Sequence, residues 1–254
     1  MTADTVKSAR RVFEVLELFD ARREPLTLKQ VCDQHRYPAS SGAAILKSLV
    51  RLGYLEYDKT SRTYLPTMRI AALGGWVAGE LFGQTNVIRL MQGLRAKTGE
   101  NVILAAQSDL HAQYVHVVRA RAALADSVGP GTLRPLVNSA LGRLLLSVQP
   151  DSTIAHLVRR LDASRDPGAA RVDLAGLLAT VGAIRQDGYV LSRDLVTPGI
   201  GVIGVMLPKT PFHRLFALGL GGPSARIRSN RERYLCLLRE TVSRFEEGSV
   251  AEDP

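Results

Sequence analysis

The chain has 254 residues, 46% apolar and 22% charged, with 33 Lys and Arg against 24 Asp and Glu and a formal net charge of +9. That composition excludes a disordered polymer, leaves enough chain for one large or two ordinary domains, and holds no run of the roughly 18 apolar residues a membrane span needs. Two cysteines, Cys32 and Cys236, are too few for a disulfide framework and have no metal-spaced partners, so neither cofactor nor metal is expected. With no apolar core behind the charges of residues 1–11, a cytoplasmic protein with no membrane association is the expectation.

In chain order, residues 8–20 read as an amphipathic helix with Val12, Phe13, Leu16 and Phe19 on its apolar face. Thr27 to Gln30 fits a T-x-x-Q capping box opening a second helix, roughly 28–35. Pro38 biases Tyr37 away from helical geometry, and Ser40 or Ser41 then caps a third helix running to about Leu52, with Gly53 as its stop. Tyr54 to Tyr57, a turn at Asp58 to Arg62, and Thr63 to Leu65 follow as a hairpin. Two short helices across a tight turn, with a β-finger behind them, form a winged helix-turn-helix.

The third helix has two sides. At about 100° per residue, Ile45, Leu49 and Leu52 fall inward, while Ser40, Ala43, Lys47 and Arg51 fall outward. Small residues let a helix approach a major groove, an Ala methyl can touch a thymine methyl, and Lys reaches guanine or phosphate. The expected contact set for double-stranded operator DNA is Ser40, Ser41, Ala43, Ala44, Lys47 and Arg51, with Lys59 and Arg62 from the wing and Lys7, Arg10 and Arg11 from the amino terminus on phosphates. The charge supports this, since residues 1–75 hold 12 basic and 8 acidic residues. A merely solvated basic face is the alternative.

Residues 66–82 are apolar over too broad an arc for a solvated helix, with Met68, Ile70, Leu73, Trp76 and Val77 on overlapping faces, and read as a linker helix that dimerises. Beyond Gly83, helical stretches at about 84–97, 138–148, 151–161, 172–187 and 224–246 alternate with strand-like runs at 102–106, 114–118, 188–191, 202–207 and 215–220. An α+β protein is expected: 1–65 a winged helix-turn-helix, 66–82 a linker, 83–247 a domain with a mixed or antiparallel sheet, and 248–254 a frayed tail.

The segments LTLKQVCDQHRYPASSGAAILKSLVRLGYLEYD and SRTYLP resemble the helix-turn-helix of the IclR family of bacterial transcriptional regulators. Later segments, KTGENVILA, VGPGTLRPLVNSALGRLLLS, IRQDGYVLS, PGIGVIGVMLP and ALGLGGPSARI, are similar to that family's effector-binding domain. The resemblance implies a homodimer, or a dimer of dimers, that binds operator DNA and senses a small molecule, commonly an organic or aromatic carboxylate. It implies effector contacts at Gly129, Leu136, Asn138, Ser139, Ala140, Val202, Ile203 and Gly204. Asn138 and Ser139 could equally be caps of the helix that follows. Ala43 and Ala44 stand where the family carries larger polar side chains, which keeps a second reading open: a binding and dimerisation protein whose DNA-reading helix has lapsed. Arg119 and Arg121 could draw an anion toward the cavity.

Two patterns suggest catalysis and fail on context. Gly199 to Gly204 spells G-x-G-x-x-G, but Pro208 follows where a helix must open, and no acidic residue stands about 20 positions on. Asp151, Ser152 and His156 lack a nucleophile elbow, and Cys32 with His35 supplies only two of a zinc site's ligands. No enzyme is expected.

Overall fold

The computed structural model describes residues 6–82, 87–120, 128–164, 170–208 and 214–250, without the side chains of 76–82 and 247–250. Arg121, the side chains of Trp76 and Val77, and residues 251–254 therefore lie outside the described residues. The chain divides into two compact units between Ala78 and Gly79.

In the first unit α1 (Lys7–Arg22), β1 (Leu26–Thr27), α2 (Leu28–His35), α3 (Ala39–Arg51), β2 (Leu55–Asp58) and β3 (Thr63–Pro66) precede α4 (Met68–Phe82). Val15, Leu18 and Phe19 of α1 pack with Val31, Leu46 and Leu49 of α2 and α3, and with Leu26 and Leu55. The buried stripe of α1 is rotated from the expected one. Phe13 stands roughly 160° from Val15 on the helix and is 64% exposed. A similar one-residue rotation puts Gly42, Leu46 and Leu49 inside on α3, leaving Ile45 half-buried and Leu52 exposed.

The punctuation of these helices is chemical. Thr27 and Gln30 close the capping box: the Thr27 hydroxyl accepts the Gln30 N–H at 3.3 Å and the Gln30 amide oxygen accepts the Thr27 N–H at 2.8 Å. Neither Ser40 nor Ser41 caps α3. Pro38 is the cap residue, with its carbonyl accepting the Gly42 N–H at 3.1 Å, because a fixed φ of −56° already fits a helix start. Gly53, at φ 78°, ends the helix as expected: its N–H reaches Val50 O and that of Tyr54 reaches Leu49 O, the paired bonds of a Schellman stop. The hairpin gains a third strand that periodicity could not show, since β1 is two residues long and pairs antiparallel with β3 in the order β1-β3-β2.

The second unit runs α5 (Val87–Thr98), β4 (Asn101–Ser108), β5 (His111–Val118), β6 (Leu133–Pro135), α6 (Ala140–Ser147), α7 (Asp151–Ala163), α8 (Leu174–Asp187), β7 (Val190–Arg193), β8 (Ile200–Met206), β9 (Phe216–Pro223), α9 (Ser224–Ser229) and α10 (Arg231–Val250). Its six strands form one antiparallel sheet ordered β6-β5-β4-β9-β8-β7. Ile103, Ala105, Tyr114 and Ala217 on one face pack with Leu141, Leu144 and Leu145 of α6 and with Leu177 and Val181 of α8. Alternation sends Val102, Leu104, Ile203, Leu218 and Leu220 to the other face, which α5, α9 and α10 cover. The expected helix over 224–246 is two, broken at Asn230, whose side-chain amide donates to Arg226 O.

Gly204 and Gly219 are register partners on β8 and β9. A Cβ on either would stand 2.8 or 2.7 Å from Leu141 Cδ2, so this pair is the seat of α6 on the sheet. The G-x-G-x-x-G stretch is thus an inner strand packed on both sides, with Gly201 against Ile227 of α9. Among the described residues no helix is long and apolar enough to cross a membrane, and no group of three or more metal-ligating side chains occurs.

Candidate DNA-reading face and ligand cleft

Burying Gly42, Leu46 and Leu49 turns Ser40, Ala44, Lys47, Ser48 and Arg51 outward, all exposed, at the i, i+4, i+7, i+8, i+11 spacing of a single stripe. Ser41 and Ala43 sit half-buried on its flanks. The wheel set from Ile45 missed Ser48, whose hydroxyl donates to Ala44 O at 2.8 Å, because the true inward axis passes through Leu46. Arg36 was missed as well. It holds φ 53° at the end of α2, exposed at the turn into α3.

The wing is pinned at its tip. The Asp58 carboxylate accepts the N–H of Thr60 at 2.7 Å and of Ser61 at 3.4 Å, and the Thr60 bond foremost holds this carboxyl below its ordinary pKa. Lys59 and Arg62 project from that turn, both exposed. The cations of α1 differ. Lys7 is exposed, Arg10 pairs with Glu14 at 3.5 Å, and the Arg11 guanidinium lies 4.6 Å from the centre of the Tyr37 ring. The Tyr37 hydroxyl donates to Glu14, and burial, then that bond, push the phenol up to about 12. Tyr37 thereby ties the α2–α3 turn to α1, and it engages two arginines that sequence alone left free for phosphate.

In the second unit a cavity of about 90 Å³ opens between the sheet and the start of α6, lined by Ile103, Tyr114, Val128, Arg134, Ser139 and Val202 among others. At roughly 15 Å³ of such space per water it holds some six waters or a small organic molecule. Of the residues expected at the effector site, the structure brings Ser139, Ala140 and Val202 together there. The other five lie elsewhere. Leu136 is core, Ile203 faces the α9–α10 side, Gly204 seats Leu141, Asn138 lines a separate polar cleft with Arg143 and Arg171, and Gly129 lies beside the Arg119 guanidinium. Arg119 itself is exposed and donates to Val128 O at 3.2 Å.

Ser139 is both cap and wall. Its hydroxyl accepts the Gly142 N–H at 3.2 Å while the side chain lines the cavity, whereas Asn138 is exposed and caps nothing. Gly142 is required, since a Cβ there would stand 2.1 Å from Leu136 O. Arg134 was not foreseen because its strand, β6, has three residues and no apolar alternation. Pairing of Arg134 with Ala112 places it on the face of Tyr114. Burial pushes the Tyr114 phenol up, and the neighbouring Arg134 guanidinium partly opposes it. A cation, a phenol and a helix start on apolar walls make a receptor for a carboxylate. The catalytic alternative has no support here: Asp151 is taken by Arg185 at 2.7 Å.

A winged helix-turn-helix with an outward cationic stripe, followed by an α+β domain holding a small-molecule cleft, defines a transcriptional regulator with a sensory domain. Residues 8–59 match the model of the IclR helix-turn-helix domain, and residues 84–246 match that of the bacterial transcriptional regulator IclR C-terminal domain. The chain belongs to the IclR family of bacterial transcriptional regulators. It is 21% identical over 243 residues to the HTH-type transcriptional regulator KdgR of Escherichia coli K12, covering 95% of this chain and 92% of that one. The crystallised effector domain of a regulator from Acinetobacter sp. ADP1 is 30% identical, at a TM-score of 0.59, over 66% of this chain and 98% of that domain. An IclR homologue from Microbacterium hydrocarbonoxydans, solved in complex with 4-hydroxybenzoate, shares the fold at a TM-score of 0.64 and 19% identity, over 97% of this chain and all of that one.

Proposed function

We propose that this protein is a homodimer, or a dimer of dimers, that sets α3 in the major groove of operator DNA through Ser40, Ala44, Lys47, Ser48 and Arg51. Lys59, Arg62, Lys7 and Arg36 neutralise phosphates beside it, with Ser41, Ala43, Arg10 and Arg11 at the margins. The observation that carries this reading is the two-sidedness of α3, whose buried stripe fixes which side chains are left for a partner. Two-fold symmetry then requires half-sites about one helical turn apart, or a multiple of that. The exposed apolar side chains of Met68 and Leu73 on α4 support a self-association surface. Leu73→Glu is expected to shift the mass measured by light scattering toward the monomer, and an unchanged mass would remove α4 from the interface.

The effector in this reading is a small carboxylic acid held by Arg134, Ser139 and the start of α6. That the Microbacterium homologue was crystallised with an aromatic acid supports the class of ligand. A ligand can alter DNA affinity only by binding one arrangement of the protein better than another. The test is gel retardation on DNA upstream of the protein's own gene, with and without benzoate or short aliphatic acids, for wild type and Arg134→Gln. Acid-dependent release or tightening in wild type, abolished in Arg134→Gln, is the expected result. A response that persists in the variant would move the effector elsewhere.

A further inference from the structure

Resting on the reading of the α6 cleft as the effector site, the far end of that cleft decides which acids enter. Three ionisable acid or base side chains line it, Arg134, Arg226 and Glu100, alongside the Tyr114 phenol. Glu100 is 1% exposed and fully engaged: Oε1 accepts from Arg226 Nε and, at 3.0 Å, from the Tyr234 hydroxyl, while Oε2 accepts from Arg226 Nη2 at 2.7 Å. Gly222 makes room for it, since a Cβ there would stand 2.1 Å from Oε2. The Arg226 side chain is 51% exposed, and its Nη1 makes no hydrogen bond among the described residues. Fixed charge in the cavity therefore sums to one positive, at Arg134, because Arg226 is already balanced.

One carboxylate neutralises that charge. What remains for the other end of a ligand is the Nη1 donor of Arg226, beyond apolar walls from Ile103, Val128, Ile200 and Val202. A hydroxyl or keto oxygen can take it. A second carboxylate would gain an already neutralised arginine and face the carboxylate of Glu100 in a site with little water to screen the repulsion. We propose that the Glu100–Arg226 pair is a specificity filter: the effector is a monocarboxylic acid bearing a neutral oxygen at its distal end, and dicarboxylic acids are rejected. Glu100 acts by occupying Arg226, which Tyr234 holds in register.

The test is calorimetric titration of the full-length chain with triplets of matched size: benzoate, 4-hydroxybenzoate and terephthalate, and the aliphatic acids, ω-hydroxy acids and α,ω-diacids of four to eight carbons. In wild type the hydroxy acid of the tightest-binding triplet is expected to bind about tenfold better than the parent acid, the range of a hydrogen bond to a charged donor, and better than the diacid. Glu100→Gln preserves shape and an acceptor for Tyr234 but releases the charge of Arg226, and is expected to reverse the order so that the diacid binds best. Wild-type preference for the diacid, or an order unchanged in Glu100→Gln, overturns the filter. Arg134→Gln separates the two levels. Loss of all acid binding there with an unmoved Glu100→Gln order condemns the filter alone, whereas retained binding, or no binding of any acid by wild type, condemns the cleft reading with it.

Discussion

At Gly42 the helix-turn-helix has no spare volume. A Cβ built there would stand 2.4 Å from Cys32 Sγ and 3.3 Å from Leu28 Cδ1, so α2 and α3 cross at a glycine with the thiol filling the gap. Gly42→Ala is expected to destabilise the protein by about 1–3 kcal/mol through overpacking, measured by denaturant unfolding. Cys32→Ala in the same chain removes the clashing sulfur and is expected to recover most of that loss. A double variant no better than the single one would place the cost elsewhere. Burial pushes the Cys32 thiol up, with Asp33 adding to the effect, so this cysteine is packing and not a reactive group. The sequence left Cys32 without a role because the residue it serves, Gly42, lies across a turn. The same holds at the cleft: Ser139 and Val202 were legible through family resemblance, while Arg134 and Arg226 enter only through strand pairing and the α9 start, which no periodicity reports.

The capping box and the wing tip are the elements whose chemistry is most explicit in the chain. Thr27→Ala removes the acceptor for the Gln30 N–H and is expected to cost about 1 kcal/mol, read as a lower unfolding midpoint. No change would mean that Gln30 alone sustains the helix start. The wing gives a pH dependence of defined sign. Because the Thr60 N–H holds the folded Asp58 below its ordinary value, the tip is fully stabilised above the unfolded carboxylate pKa of about 3.9 and loses that support as pH falls through the lowered folded value. Carbon-detected NMR titration of Asp58 is expected to give a midpoint under 3.9, and one at or above it would mean that the turn bonds do not form in solution. Element order and type were readable because capping, Pro38 and Gly53 act over a few residues. The faces of α1 and α3 were readable only to within a residue. An apolar wheel averages Phe13 and Ile45 into the core, whereas packing against β1 and β3 selects Val15 and Leu46.

The molecule as a whole joins a reader and a sensor, and what couples them is an equilibrium that both ligands bias. An effector that binds the two arrangements of the dimer a hundredfold differently can shift DNA affinity by at most that factor, about 2.7 kcal/mol. The central claim, however, is that the outward side of α3 and the wing meet the duplex. Replacing Lys47 and Arg62, both exposed and neither part of the core, leaves the fold intact and removes two cationic contacts. Anisotropy titrations of the upstream DNA across a salt series, comparing wild type with Lys47→Ala/Arg62→Ala, test this most directly. The account predicts weaker binding and a log-affinity against log-salt slope shallower by about 1.8, at roughly 0.9 per phosphate contact. The same affinity and the same slope in both proteins would contradict it, and a flat wild-type response would instead describe a chain whose reading helix has lapsed.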